Sequence, residues 1–170
     1  ASAGAPAPAS ALLNAVAVAN AGAFAIIRLT WYVFGPDVLN SSWAHLAAFA
    51  LACVTTVYGS CMALSSQRLK LRLAWSTIGQ LSYVLLGALL LTPSGLSAGM
   101  TQMAAHALIK ANLYFCAGAI LCQSGREFLF DMRGWGFGMP ATFLAFLLSA
   151  LALVGLPPMA GFIAKWRLGI

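Results

Sequence analysis

Apolar residues run along this chain in long blocks separated by short polar stretches. Five blocks reach the roughly 20 residues that a helix needs to cross a bilayer: about 9–34, 43–64, 73–91, 96–122 and 139–166. Polar and apolar positions nowhere alternate at the period of two that a lipid-facing barrel demands, so the blocks predict helices. The breaks carry turn chemistry: Gly35-Pro36-Asp37 with Asn40-Ser41-Ser42, Ser65-Ser66-Gln67-Arg68, Thr92-Pro93-Ser94-Gly95, and a longer connection over 123–138. None reads as a domain linker. The expected architecture is an all-α membrane protein, about five transmembrane helices in a single transmembrane domain over 1–170. The last helix is expected to break over Gly155-Leu156-Pro157-Pro158 and to resume through Gly161, because each proline removes a backbone donor and clashes with the preceding turn.

Composition agrees. Hydrophobic residues are 62% of the chain and charged residues 7%, with a mean hydropathy of +0.91; a soluble domain of 170 residues could not bury so much apolar surface. The net charge of +6 does not point to nucleic acid, since the basic residues are dispersed and form no patch. They mark orientation instead. Arg68, Lys70 and Arg72 lie in one connection and Arg126 and Arg133 in another on the same face, while the opposite connections carry no Lys or Arg. The positive-inside rule makes the Arg68–Arg72 and Arg126–Arg133 loops cytoplasmic. Cys53, Cys61, Cys116 and Cys122 fall inside helices with no Cys-x-x-Cys pair, and read as small packing residues and not as a disulfide or metal set. The opening Ala/Pro-rich stretch has no initiator Met and no basic region, so the chain is expected to be a fragment of a longer subunit.

Charged groups inside the apolar blocks carry the chemistry. Lys110 sits near the middle of the fourth block, at a depth where a lysine costs about 2.5–3.5 kcal/mol on insertion scales. His106 precedes it by one helical turn and Gln102 precedes His106 by another, so the three lie along one side over about 12 Å. Asp37, Glu127 and Asp131 are the only acidic residues, and all fall in connections. An ammonium at Lys110 therefore has no carboxylate from its own helix. Unlike an arginine, it can load and release a proton as neighbouring charge moves. His106 reads either as a relay or as a hydrogen-bonded packing residue. Lys165, seven residues past Pro158, is either a pathway group beside the helix break or an end-of-helix anchor with Trp166 and Arg167. No nucleophilic, redox, metal or cofactor constellation is present.

Four strings make the chain resemble the antiporter-type proton-conducting subunits shared by respiratory complex I and Mrp-type sodium/proton antiporters. They are 5–13, Arg68-Leu69-Lys70-Leu71-Arg72 through Tyr83, His106-Ala107-Leu108-Ile109-Lys110 with Tyr114 to Ile120, and Gly155 to Trp166. The wording at 115–120 is more similar to the Mrp-type antiporter members than to typical complex I members. The resemblance implies part of a two-repeat inverted 5+5 antiporter-like fold and no cofactor. It places Lys110, His106, Lys165, Gln102 and Lys70 on the proton path, and Gly155, Pro157, Pro158 and Gly161 at the helix break. Asn20 and Gln102 depart from it, standing where many relatives carry a lysine and a histidine.

The function expected on these grounds is proton translocation, or cation/proton antiport, by a non-enzymatic membrane subunit. Any NADH:quinone oxidoreductase activity would belong to the assembly. The implied partners are other membrane subunits of an antiporter or respiratory complex, the lipid bilayer, and protons with sodium as the alternative ion. The implied location is a bacterial or archaeal plasma membrane. The competing reading is a scaffold subunit whose polar residues only lock helices together.

Overall fold

The computed structural model describes residues 18–125, 127–132 and 134–169. The 5–13 string, Arg126 and Arg133 lie outside the described residues. Seven α-helices follow in order: α1 (Ala19–Arg28), α2 (Pro36–Asn40), α3 (Trp43–Ser65), α4 (Leu69–Leu89), α5 (Pro93–Ser124), α6 (Pro140–Val154) and α7 (Ala160–Gly169). α1 runs on as a π-helical segment, Leu29–Phe34, and 3-10 turns at Leu129–Met132 and Trp135–Phe137 occupy the longer connection. The described residues form one isolated bridge, Arg68 with Phe128, and no strand.

Local chemistry accounts for most of the boundaries. Thr92 Oγ1 accepts from Gly95 N at 3.1 Å and Pro93 takes the first helical position, so α5 starts three residues before the apolar run does. Its other end stops at Gly125, whose φ of 63° is the left-handed turn that glycine tolerates. Gly35, at φ 75°, ends the first helix as expected, but Pro36 and Asp37 then start the short α2 where the sequence suggests only a turn. Proline at the first helical position and an acidic residue in the first turn are both start signals, and here they outweigh the turn reading.

α4 is the hub. It packs against α3 on one side, α5 on another and α1 on a third, while α6 and α7 pack on α5. Its C-terminal carbonyls are closed by side chains from other helices: Trp31 Nε1 donates to Ala88 O at 3.0 Å, and His45 Nε2 meets Leu89 O at 2.6 Å. α4 and α5 approach closely enough at one end to require Gly87 against Gly95 and Gly99. At the other end Leu69 and Leu73 of α4 cluster with Leu113, Tyr114, Ala117 and Ile120 of α5.

Polarity is inverted relative to a water-soluble bundle. Thr56, Thr77, Ser82, Gln102, His106, Lys110 and Ser149 are buried, whereas Leu46, Leu51, Val54, Val57, Leu108 and Leu147 are exposed. α3 and α5 are long and apolar enough to cross a membrane by length and composition. α4 is less apolar because Ser76, Thr77, Gln80 and Ser82 interrupt it. Three of the four cysteines correct the packing expectation: Cys53, Cys61 and Cys122 are exposed and only Cys116 is buried. An apolar thiol is as compatible with an outward-facing position on a lipid-facing helix as with a core.

Candidate functional site

α5 presents Gln102, His106 and Lys110 on the face it turns toward α4, and burial there is nearly total: 2, 1 and 0% exposed. Lys110 does not snorkel. Its Nζ donates to Leu73 O at 2.9 Å and also to Ser76 Oγ. Both acceptors are neutral, so among the described residues the ammonium meets no carboxylate. Ser76 Oγ donates in turn to Leu73 O at 2.9 Å, as Thr77 Oγ1 does at 2.8 Å. One turn along, Gln102 Nε2 donates to Gln80 Oε1 at 2.8 Å. Gln102 Oε1 and both ring nitrogens of His106 have no protein partner. Buried polar atoms in that condition call for water, which holds two to four polar partners at such sites.

The second lysine sits at the helix break. In an unbroken helix Leu153 O and Val154 O would accept from the backbone nitrogens of residues 157 and 158, but both are prolines and carry no hydrogen. Lys165 Nζ donates to the same two carbonyls, at 2.8 and 3.1 Å. The side chain thus returns from α7 to close the end of α6, where the helix dipole also favours a cation. Gly161 makes this return possible, because a Cβ there would run into Ala152 O. Gly155, at φ 90°, ends α6 in a left-handed turn. Lys165 Nζ also lies 5.6 Å from the Tyr83 ring centroid and lines a cavity of about 320 Å3 with Phe49, Cys53, Leu86 and Leu90.

The two lysines meet different ends of α4. Leu73 lies four residues into that helix, about 6 Å from its start on the Arg68 side, while Tyr83 lies ten residues further along, about 15 Å away. Ser76, Gln80 and Tyr83 recur at helical spacing on α4, so this helix supplies partners to Lys110, Gln102 and Lys165, while His106 has none among the described residues. All three of these α4 residues stand in the matching string that starts at Arg68, where the resemblance gives them no role. Their spacing of four and three residues is the signal that would have found them. Lys70 is not brought to this stripe: its Nζ stands 3.8 Å from Glu127, with both side chains exposed.

A difference in stability separates the two lysines. In Lys165→Met, Leu153 O and Val154 O lose their donor, at a cost of about 1–3 kcal/mol for each carbonyl that stays buried. In Lys110→Met, Leu73 O keeps Ser76 and Thr77, and removal of a buried charge is neutral or stabilising. Thermal melting of the purified full-length protein should therefore fall for the first variant and hold for the second; equal losses would contradict the capping role.

The sequence profile of the NADH:quinone oxidoreductase/Mrp antiporter, TM family matches residues 1–168. The chain is 31% identical over 169 residues to an NADH-quinone oxidoreductase subunit N from Desulforudis audaxviator, covering 96% of this chain and 32% of that protein. It is 34% identical over 163 residues to a subunit L from Mycobacterium tuberculosis, covering 94% and 24%. A solved structure of the Mrp complex from Dietzia sp. DQ12-45-1b contains a chain that superimposes with a TM-score of 0.89 at 30% identity, over 95% of this chain and 30% of the other. The chain spans about a third or less of the length of these relatives. With an inside-out bundle, an all-α fold and these matches, the chain belongs to the NADH:quinone oxidoreductase/Mrp antiporter transmembrane family and is an integral membrane protein.

Proposed function

We propose that this chain carries part of the intramembrane proton path of a proton-translocating subunit, working in a multisubunit membrane complex of the respiratory or antiporter kind. The observation that carries the reading is the fully buried Lys110 ammonium, held among the described residues by neutral oxygens alone. A fixed charge kept for stability would be expected beside a counter-ion. An amine on a carbonyl and a hydroxyl can instead exist with or without its proton, because the hydroxyl both accepts and donates.

The order of groups along α4 supports a path from one end of that helix to the other. Protons load onto Lys110 near the Arg68 end, pass His106 and the Gln102–Gln80 pair on water, and leave by Lys165 and its cavity near the far end. Lys70, exposed beside Glu127, serves as a charge at the mouth and not as a member of the buried relay. The Arg68–Arg72 stretch, expected as a loop, forms the start of α4, and that end of the helix is then the cytoplasmic side of a prokaryotic plasma membrane. Lys165 differs from Lys110 in also holding the broken helix together, so it combines transport with the structural role of the competing scaffold reading.

The test is proton flux in vesicles carrying the full-length subunit in its complex. With a pH-sensitive dye inside and an imposed membrane potential, the wild type acidifies or alkalinises the lumen. Lys110→Met is expected to remove that flux while subunit composition and melting temperature hold. Undiminished flux in an intact Lys110→Met complex would leave the scaffold reading standing.

A further inference from the structure

A second cavity, about 340 Å3 in volume, opens where α4 begins and is lined by Arg68, Lys70, Leu71, Ala74 and Glu127. Its rim is fixed by backbone bonds between two connections, Leu69 N to Glu127 O at 3.3 Å and Leu129 N to Gln67 O at 3.1 Å. Arg68 lies over the Phe128 ring, 5.4 Å from its centroid. The nearby Arg72 is committed elsewhere, donating to Ala63 O at 3.1 Å and Leu64 O at 3.0 Å at the end of α3. Among the described residues, Arg68 and Lys70 therefore remain as the cations of the cavity. Glu127 opposes them incompletely, since its 3.8 Å contact with Lys70 is too long for a hydrogen bond and the two side chains are 54 and 41% exposed.

What lies beside this rim decides the kind of ligand. Leu71, Ala74 and Ile78 are exposed at i, i+3 and i+7 on the outer face of α4, an apolar strip about 10 Å long that leads away from the cations into the membrane-spanning part of the bundle. A free anion would need only the cations. A cationic rim continuous with an outward apolar strip has the polarity of a phospholipid, charged at one end and hydrocarbon at the other.

We propose that the cavity binds the head group of an anionic phospholipid, with Arg68 and Lys70 on the phosphate and an acyl chain along Leu71, Ala74 and Ile78. The site stands on the outer face of α4, opposite in direction to the buried proton stripe, and does not depend on the transport reading. Binding of one lipid there would also tie the α4 start to the 127–129 connection.

Native mass spectrometry of the full-length subunit in its complex tests this, with phosphatidylglycerol and phosphatidylcholine of identical acyl chains as the probes. Phosphatidylglycerol is expected to be retained in preference. Arg68→Gln and Lys70→Gln should each lower its occupancy about fivefold, the factor that one cation near a lipid surface supplies. Glu127→Gln should raise occupancy, a gain that misfolding cannot mimic. Equal retention of both lipids, or indifference to all three substitutions, overturns the proposal. Displacement of the lipid by millimolar inorganic phosphate also overturns it, since the cavity would then read a free anion.

Discussion

Lys110→Arg is expected to cut proton flux by about two to three orders of magnitude although it keeps the positive charge. Free arginine holds its proton about a thousandfold more tightly than free lysine, so a guanidinium at this position can carry charge and cannot pass it on. The surroundings make the substitution harsher still. Lys110 Nζ has one carbonyl and one hydroxyl to bond, at a position with no exposed surface, whereas a guanidinium brings five donors. Ser76→Ala separates the two causes. It leaves Leu73 O as an acceptor for the ammonium but removes the group able to donate to the neutral amine, so conduction should slow about tenfold with little change in volume, the effect of losing one hydrogen bond to a charged group. Flux is read in vesicles with an interior pH dye, alongside the melting temperature of each complex. Arginine at 110 conducting at the wild-type rate would show that the residue only supplies a fixed field.

Much of this arrangement is legible in the order of residues alone. Runs of apolar residues locate α3 and α5 to within three residues, because a membrane-crossing helix has little besides its length and hydrophobicity to specify. The break after Val154 is also local chemistry: two adjacent prolines cannot donate, wherever the rest of the chain lies. The same fact, carried one step further, names Leu153 and Val154 as the carbonyls left without donors, and a lysine a turn or two past the break as a candidate to close them.

The partners of Lys110 are not legible in that way. They come from α4, and which face of α4 meets α5 depends on how closely the two backbones approach. Part of that signal is present in the sequence as Gly95-x-x-x-Gly99, a spacing of small residues that lets membrane helices touch. Its counterpart Gly87 is a lone glycine among leucines and advertises nothing. The cysteines show the opposite limit. Their burial cannot be inferred from type, since in lipid both faces of a helix accept an apolar thiol, and three of the four point outward. Likewise Lys70 and Lys110 look alike as basic residues in matching strings, yet one stands in the open with Glu127 and the other is enclosed.

Gly87→Leu is expected to prevent the bundle from folding. A Cβ on Gly87 would stand 2.8 Å from Gly95 O, 3.0 Å from Gly99 Cα and 3.1 Å from Gly99 N. These neighbours are backbone atoms, so no side chain can rotate away, and the helices must separate. Overpacking of a side-chain core usually costs about 1–3 kcal/mol because rotamers and small shifts absorb it. Here even alanine should reach that range, and leucine should exceed about 4 kcal/mol, enough to prevent assembly. The damage would travel along α4. Pivoting it away from α5 at Gly87 loosens the Gln80–Gln102 bond, seven residues away, before it reaches the Ser76 and Leu73 contacts of Lys110. Gly87→Ala should therefore melt several degrees lower and conduct poorly, and Gly87→Leu should give no intact complex on size-exclusion chromatography. A leucine variant that assembles and melts like the wild type would mean that α4 and α5 are not in backbone contact, and the cradle assigned to Lys110 would fall with that contact.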